Sequence, residues 1–281
     1  MKELADKVAV VTRGGSGIGA ALALAAARAG MDVAIVDIDG DRAEESAAAV
    51  AKLGRQALAS VTDVTDGDAV EQAASKVYET LGACHVLCNN AGVSPLGFTW
   101  EHSLSDWNWV FSINLFGVVN GIRSFVPRML AQGSEGHVVN TVSAAALRLV
   151  PANGLYAASK YAVLGLTETL RDELAPHNIG VSALCPGAVQ TNIGEAEQRR
   201  PGGPASPDQM AKHIGALTAG VDRTHVTPLP PERVASLVLE AVRANEPYVI
   251  THPGSREAVA RRHETILNAY DLARTRGPDL P

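Results

Sequence analysis

The 281-residue sequence is short of cysteine, of basic charge and of long apolar runs. Three cysteines make no disulfide framework, and Cys84 and Cys88 share one apparent strand, too far apart along it to bridge. A reducing, cytoplasmic setting is the expectation. Lys and Arg number 24 against 30 Asp and Glu, a formal charge of −6, which argues against nucleic acid or an anionic membrane as partner. The pairs Arg199-Arg200 and Arg261-Arg262 read as solvated or interfacial rather than as a binding patch. No uninterrupted apolar run is long enough to cross a bilayer, and "MKELADKVAVVT" carries no signal-peptide core. The eight histidines show no metal-ligand spacing, so no metal is expected. Repeats and low-complexity tracts are absent as well.

What remains is an ordinary globular composition, 46% hydrophobic and 19% charged. Continuous apolar runs at 7–12, 32–37, 56–61, 85–90, 136–143, 180–186 and 247–251 read as strands buried on both faces. Helical stretches fall near 18–29, 41–53, 66–81, 105–131, 154–175 and 231–245. This alternation predicts a single α/β domain over 1–281, a Rossmann-like doubly wound parallel sheet of about seven strands with helices on both faces. Glycines and prolines crowd 191–230 around one short helix near 206–218, and this segment leaves the carboxyl end of a strand, so we read it as a lid. Residues 252–281 form a C-terminal extension with a helix over 254–275, docked on the body or on a partner subunit through Val259, Ile266 and Tyr270.

Three signals carry chemistry. The stretch "VVTRGGSGIGA" (10–20) runs from a strand through glycines into an alanine-rich helix, where backbone N–H groups attract a phosphate. Such turns also serve merely as connectors. Asp37 ends the second strand, placed either to hold the hydroxyls of an adenosine ribose or to cap a helix. Tyr156 and Lys160 share one helical face in "YAASK". A phenol with a pKa of about 10 is a poor acid–base at neutral pH, and a nearby ammonium lowers it. Tyr156 then has the means to exchange a proton with a carbonyl oxygen as hydride moves.

With these residues in order, the chain resembles the short-chain dehydrogenase/reductase family over nearly all of 5–251. The motifs are a "TGxxxGIG"-like turn at 12–19, "DV" at 63–64, "NNAG" at 89–92, Asn114 in "INLFG", Ser143, "YxxxK" at 156–160 and "PGAVQT" at 186–191. The resemblance implies a catalytic quartet of Asn114, Ser143, Tyr156 and Lys160. Tyr156 would be the acid–base, Ser143 would bond the substrate oxygen, Lys160 would hold the nicotinamide ribose and Asn114 a relay water. It further implies a cofactor cleft of Arg13, Ser16, Gly17, Ile18, Gly19 and Asp37, with Asp63 and Val64 at the adenine. Asn90, Ala91 and Gly92 would line its middle, and Pro186, Gly187, Val189 and Thr191 would close over the nicotinamide. A homodimer or homotetramer joined through 105–131 and 154–175 follows from the same likeness.

Two departures stand out. His85 replaces a common aspartate and reads as structural. Arg13 replaces the family's first glycine, and three readings stay open: a solvent-facing side chain, one paired with Asp37 or a cofactor phosphate, or one that obstructs the adenosine half. Asp37 followed by the apolar Ile38 places NAD ahead of NADP, which Arg13 keeps in play. Ala144, Ala145, Leu147, Leu149, Val150, Val93 and Leu96 give an apolar pocket, suited to a hydrophobic or aromatic secondary alcohol or its ketone. The segments "TNIGEAEQRRP" and "PYVITHPGSREAV" are similar to those of bacterial dehydrogenases acting on benzylic alcohols of lignin-derived aryl ethers. The competing readings are a cofactor-sensing binding protein, which would lose part of the quartet, and a relative performing dehydration or epimerisation of a nucleotide sugar.

Overall fold

Short valine-rich runs become strands here because helices cover both of their faces. The computed structural model describes residues 1–218 and 227–277. Among these, the strands are Val8–Thr12 (β1), Asp32–Asp37 (β2), Ala57–Val61 (β3), Val86–Asn89 (β4), Gly136–Thr141 (β5), Ile179–Cys185 (β6) and Tyr248–Ile250 (β7). They form one sheet in the order β3-β2-β1-β4-β5-β6-β7, with every pairing parallel.

The two-residue period of a strand sorts its side chains onto opposite faces. Ala9, Val11, Val33, Ile35 and Cys88 pack beneath Gly17–Arg28 (α1), Gly40–Ala51 (α2) and Pro231–Ala244 (α8). Val8, Val10, Ala34, Val36 and Leu87 face the other layer. That layer comprises Gly67–Leu81 (α3), Gly117–Gln132 (α5) and Gly154–Leu174 (α6). The chain winds outward from β1 through β2 and β3, then crosses back to start β4 on the other side of β1. A crevice opens where the winding reverses, above the carboxyl ends of β1 and β4. Arg13 and Asn90 are the first residues beyond those two ends.

The single helix expected over 105–131 is divided. Leu104–Phe111 (α4) passes into a π turn, Ser112–Phe116, before α5 begins. The run Leu104–Gln132 is nonetheless continuous, and by length and composition alone it would cross a membrane, contrary to the sequence expectation. Its Val118, Phe125, Val126 and Met129 pack into the domain core instead.

Three further sequence readings meet the structure at particular residues. Cys84 precedes β4 instead of lying on it, and all three thiols are buried and free. His85 is structural: its Nδ1 accepts from the Val8 N–H at 3.0 Å, tying the entry of β4 to β1. The extra helix forms at Arg256–Arg276 (α9), but none of its residues is buried, and Tyr270 is 70% exposed. The Arg262 guanidinium lies over the Tyr161 ring of the body, 5.1 Å from the centroid. Of the expected lid, Pro207–Thr218 (α7) is helical, whereas 219–226 lie outside the described residues, as do 278–281 of the extension.

A buried polar chain crosses the sheet behind the crevice. Asn89 Nδ2 donates to Asn140 Oδ1 at 2.9 Å, and Asn140 Nδ2 donates to Thr167 Oγ1 at 3.1 Å. Gly121 of α5 leaves room for it, since a Cβ there would stand 2.2 Å from Asn89 Oδ1. Gly121→Ala should therefore lower stability by about 1–3 kcal/mol through overpacking, read as a reduced urea midpoint with an unchanged slope.

Candidate active site

The strand-to-helix turn is set by glycines that admit no side chain. A Cβ on Gly19 would lie 1.9 Å from the Arg13 carbonyl oxygen, and one on Gly15 would lie 2.9 Å from Asp37 Oδ2. Gly17 adopts φ +53°, which suits glycine. Ser16 occupies the N-cap of α1 without donating or accepting a side-chain cap. First-turn N–H groups of α1 thus face the crevice uncapped, as an anionic diphosphate requires. The Asp37 carboxylate accepts from Gly15 N–H at 2.9 Å and Asp39 N–H at 3.1 Å, so it orders the turn while lining the crevice. The helix cap proposed as its rival role belongs to Asp39, which accepts from Arg42 N–H.

Two cavities meet at this turn. One, of about 490 Å³, is lined by Asp37, Ile38, Asp63, Val64 and Ala91. The other, of about 630 Å³, is lined by Ser143, Tyr156, Lys160, Pro186, Val189 and Thr191. Ser16 faces both; Gly17, Ile18, Asn90 and Gly187 face the second. A dinucleotide would fit with its adenosine in the first cavity and its nicotinamide in the second. Gly19 is not among the lining residues of either cavity, and its missing Cβ lets α1 approach the Arg13 carbonyl.

The chemistry-bearing side chains converge on the second cavity. Asn90 is fixed by Thr12, whose Oγ1 accepts from Asn90 N–H at 2.8 Å and from Ala91 N–H at 3.1 Å. Lys160, 2% exposed, donates from Nζ to the Thr141 carbonyl at 2.7 Å. Its Nζ lies 5.8 Å from the Tyr156 ring centroid. Burial pushes the Tyr156 phenol up, and a hydrogen bond with Ser143 acts in the opposite sense. Burial, reinforced by the charge of Arg13, brings Lys160 down to about 7. Asn114 sits in the π turn, its Oδ1 accepting from Val93 N–H at 2.8 Å and its Nδ2 donating to Val93 O and Ser159 Oγ at 3.0 Å. These bonds hold the loop after β4 against the π turn.

The substrate end differs from expectation in its walls. Ala144, Ala145, Val150, Ala188, Ile193 and Leu217 line it, as does Arg148. Leu149 turns outward at 71% exposure, Leu147 packs into the core beside Val142, and Leu96 does not reach the cavity. Val93 belongs to the adenosine-side cavity. Sequence reading also missed what anchors the segment after Thr191. Arg200, taken there for a surface residue, donates to both Asp106 oxygens at 2.8 and 3.1 Å and to Glu197 at 2.9 Å. The guanidinium holds Asp106 down to about 2. His213 and Lys212 of α7 both meet Glu101, at 2.7 and 2.8 Å. Asp106, which forms a capping box with Ser103 at the start of α4, stands 94 positions from Arg200, so no local pattern joins the two.

A nucleotide-binding α/β fold with a tyrosine–lysine–serine site at the crevice defines a dehydrogenase class. The short chain dehydrogenase family profile matches residues 7–201, and the chain belongs to that family. It is 33% identical to a C alpha-dehydrogenase from Sphingobium sp., covering 96% of this chain and 88% of that one. A 1-deoxy-11-beta-hydroxypentalenate dehydrogenase from Streptomyces exfoliatus is 36% identical, covering 96% and 91%. A short chain dehydrogenase/reductase from Burkholderia phymatum, solved in complex with NAD, superposes with a TM-score of 0.87 at 38% identity, covering 96% and 97%.

Two outcomes follow from these contacts. Unfolded, Lys160 returns to its ordinary 10.5, so the unfolded chain binds more protons above about 7 and folding gains stability as pH rises. Above the ordinary thiol value of 9.0 the raised Cys84 works the other way. Urea midpoints should thus rise between these two pH values for the parent and stay flatter for Lys160→Met. Separately, Arg200→Ala removes hydrogen bonds to charged groups worth about 1.5–3 kcal/mol each, and amide exchange across 193–218 should accelerate roughly tenfold or more.

Proposed function

We propose that this chain transfers a hydride between NAD and the carbinol carbon of a secondary alcohol, or its ketone, with a hydrophobic or aromatic body. The observation that carries the reading is the convergence of Ser143, Tyr156 and Lys160 on one apolar-walled cavity at the end of a dinucleotide-sized crevice. Nicotinamide bound there supplies the hydride acceptor in one direction and the donor in the other. Oxidation removes a hydride from carbon and a proton from oxygen; Tyr156 takes that proton at its phenolic oxygen and returns it in reduction. Ser143 fixes the substrate oxygen beside the phenol. Burial opposes the Tyr156 phenolate, so a charged Lys160 behind the ring is what makes it accessible.

Asp37 favours NAD over NADP, because its carboxylate lies in the adenosine cavity and repels a 2′-phosphate. The Burkholderia relative in complex with NAD supports the same choice. The name of the Streptomyces relative, a dehydrogenase of a hydroxylated compound, supports an alcohol substrate. Outer surfaces of α5 and α6 would join copies into a homodimer or homotetramer. In an assay of reduced-nicotinamide absorbance over a panel of 1-aryl alcohols and aryl ketones, the parent should turn over with NAD in preference to NADP. Tyr156→Phe should lose about 10²–10⁴-fold in kcat while binding NAD as before. Turnover by the phenylalanine variant at the parental rate would overturn the assignment.

A further inference from the structure

Arg13 combines three observations that the glycine it replaces would not produce. Its backbone sits at φ +50°, a left-handed conformation that costs a non-glycine residue about 1–2 kcal/mol. Its Nη1 donates to the carbonyl oxygen of Gly92 across the crevice. Among the described residues only Arg13, Ser16 and Gly92 line both cavities, so the Arg13–Gly92 bond forms the partition between them. Strain at a site of this kind is kept where it serves function.

The guanidinium is poorly matched by its present partner. Burial pulls its pKa down, Asp37 offsets this from a distance, and Arg42 and Arg199 add repulsion. Among the described residues Arg13 makes no salt bridge; Asp37 instead spends its oxygens on Gly15 and Asp39. Arg42 is already committed to Asp39 and Glu195. Arg13 therefore stands as a desolvated cation holding one neutral carbonyl. An oxyanion of full charge would bind the same fork more strongly, in a charge-assisted and bidentate manner.

On the reading that the crevice takes a nicotinamide dinucleotide, its diphosphate must pass through the partition, beside the uncapped N-terminus of α1. We propose that Arg13 is the diphosphate-recognising residue of this chain, resting on Gly92 as a crossbar that releases to pair with the diphosphate when a dinucleotide bridges the two cavities. A ligand without a diphosphate gives the guanidinium no oxyanion to pair with. The obstruction reading of Arg13 predicts the reverse, tighter binding on removal of the side chain.

Calorimetric titration of the parent, Arg13→Gly and Arg13→Lys with NAD, ADP-ribose and adenosine tests this. Glycine accepts the local φ, so the neutral variant keeps its fold, which its urea midpoint checks. Arg13→Gly should weaken ADP-ribose and NAD by roughly 10–100-fold, the range of one hydrogen bond between charged groups, and leave adenosine unchanged. It should also flatten the salt dependence of ADP-ribose binding, and Arg13→Lys should restore part of both. Equal or tighter ADP-ribose binding by Arg13→Gly would overturn the proposal while leaving the dinucleotide reading intact, as would an equal loss for adenosine. If the parent binds neither NAD nor ADP-ribose, the dinucleotide reading itself fails and the proposal with it.

Discussion

The Arg13 carbonyl oxygen lies 1.9 Å from the place a Cβ on Gly19 would occupy, and α1 reaches the end of β1 only because that Cβ is missing. Much of the crevice follows from this approach. It brings the uncapped first turn of α1 to the mouth of the sheet, where a partial positive charge faces outward. The same turn holds Arg13 in its left-handed conformation, from which the side chain spans to Gly92. The strain and the crossbar are one geometric outcome. A glycine at this position would remove both and leave the two cavities joined.

Burial and like charge both act on the ionisable groups of the second cavity. Burial, with a smaller contribution from the charge of Arg13, disfavours the Lys160 ammonium, and burial likewise disfavours the Tyr156 phenolate. Arg13, Arg148 and Lys160 line the second cavity, and no acidic side chain does so among the described residues. An anion entering such a cavity relieves the repulsion between Arg13 and Lys160.

The regular elements were legible because they depend on local patterns. Valine runs at 7–12 and 32–37 gave β1 and β2 within a residue, and the four-residue spacing of Tyr156 and Lys160 placed both on α6. Motif order made the family legible, and it singled out Ser143, Tyr156 and Lys160, which line one cavity. Other features were hidden because they depend on pairings distant along the chain. Nothing near Arg200 announces Asp106, and nothing near Asn114 announces Val93, so an anchor read as surface charge and a relay residue read without its tether. Leu149 was misplaced because composition cannot say which way a loop side chain turns. The apolar face of α9 was visible, but its neighbour was not: helical periodicity says that a face exists, and only tertiary structure says what meets it.

The π turn at Ser112–Phe116 separates two helices that differ in phase. Each residue in an α-helix advances the direction of its side chain by about 100°. Upstream of the turn, Val110 faces Val93 and Leu155; downstream, Phe125 and Met129 face the sheet. The turn divides one continuous rod into a first half packed beside Val93 and Leu155 and a second half packed on the sheet and on α6. Asn114 sits at the point of the shift, so the residue that pins the loop after β4 also records the angle between the two halves.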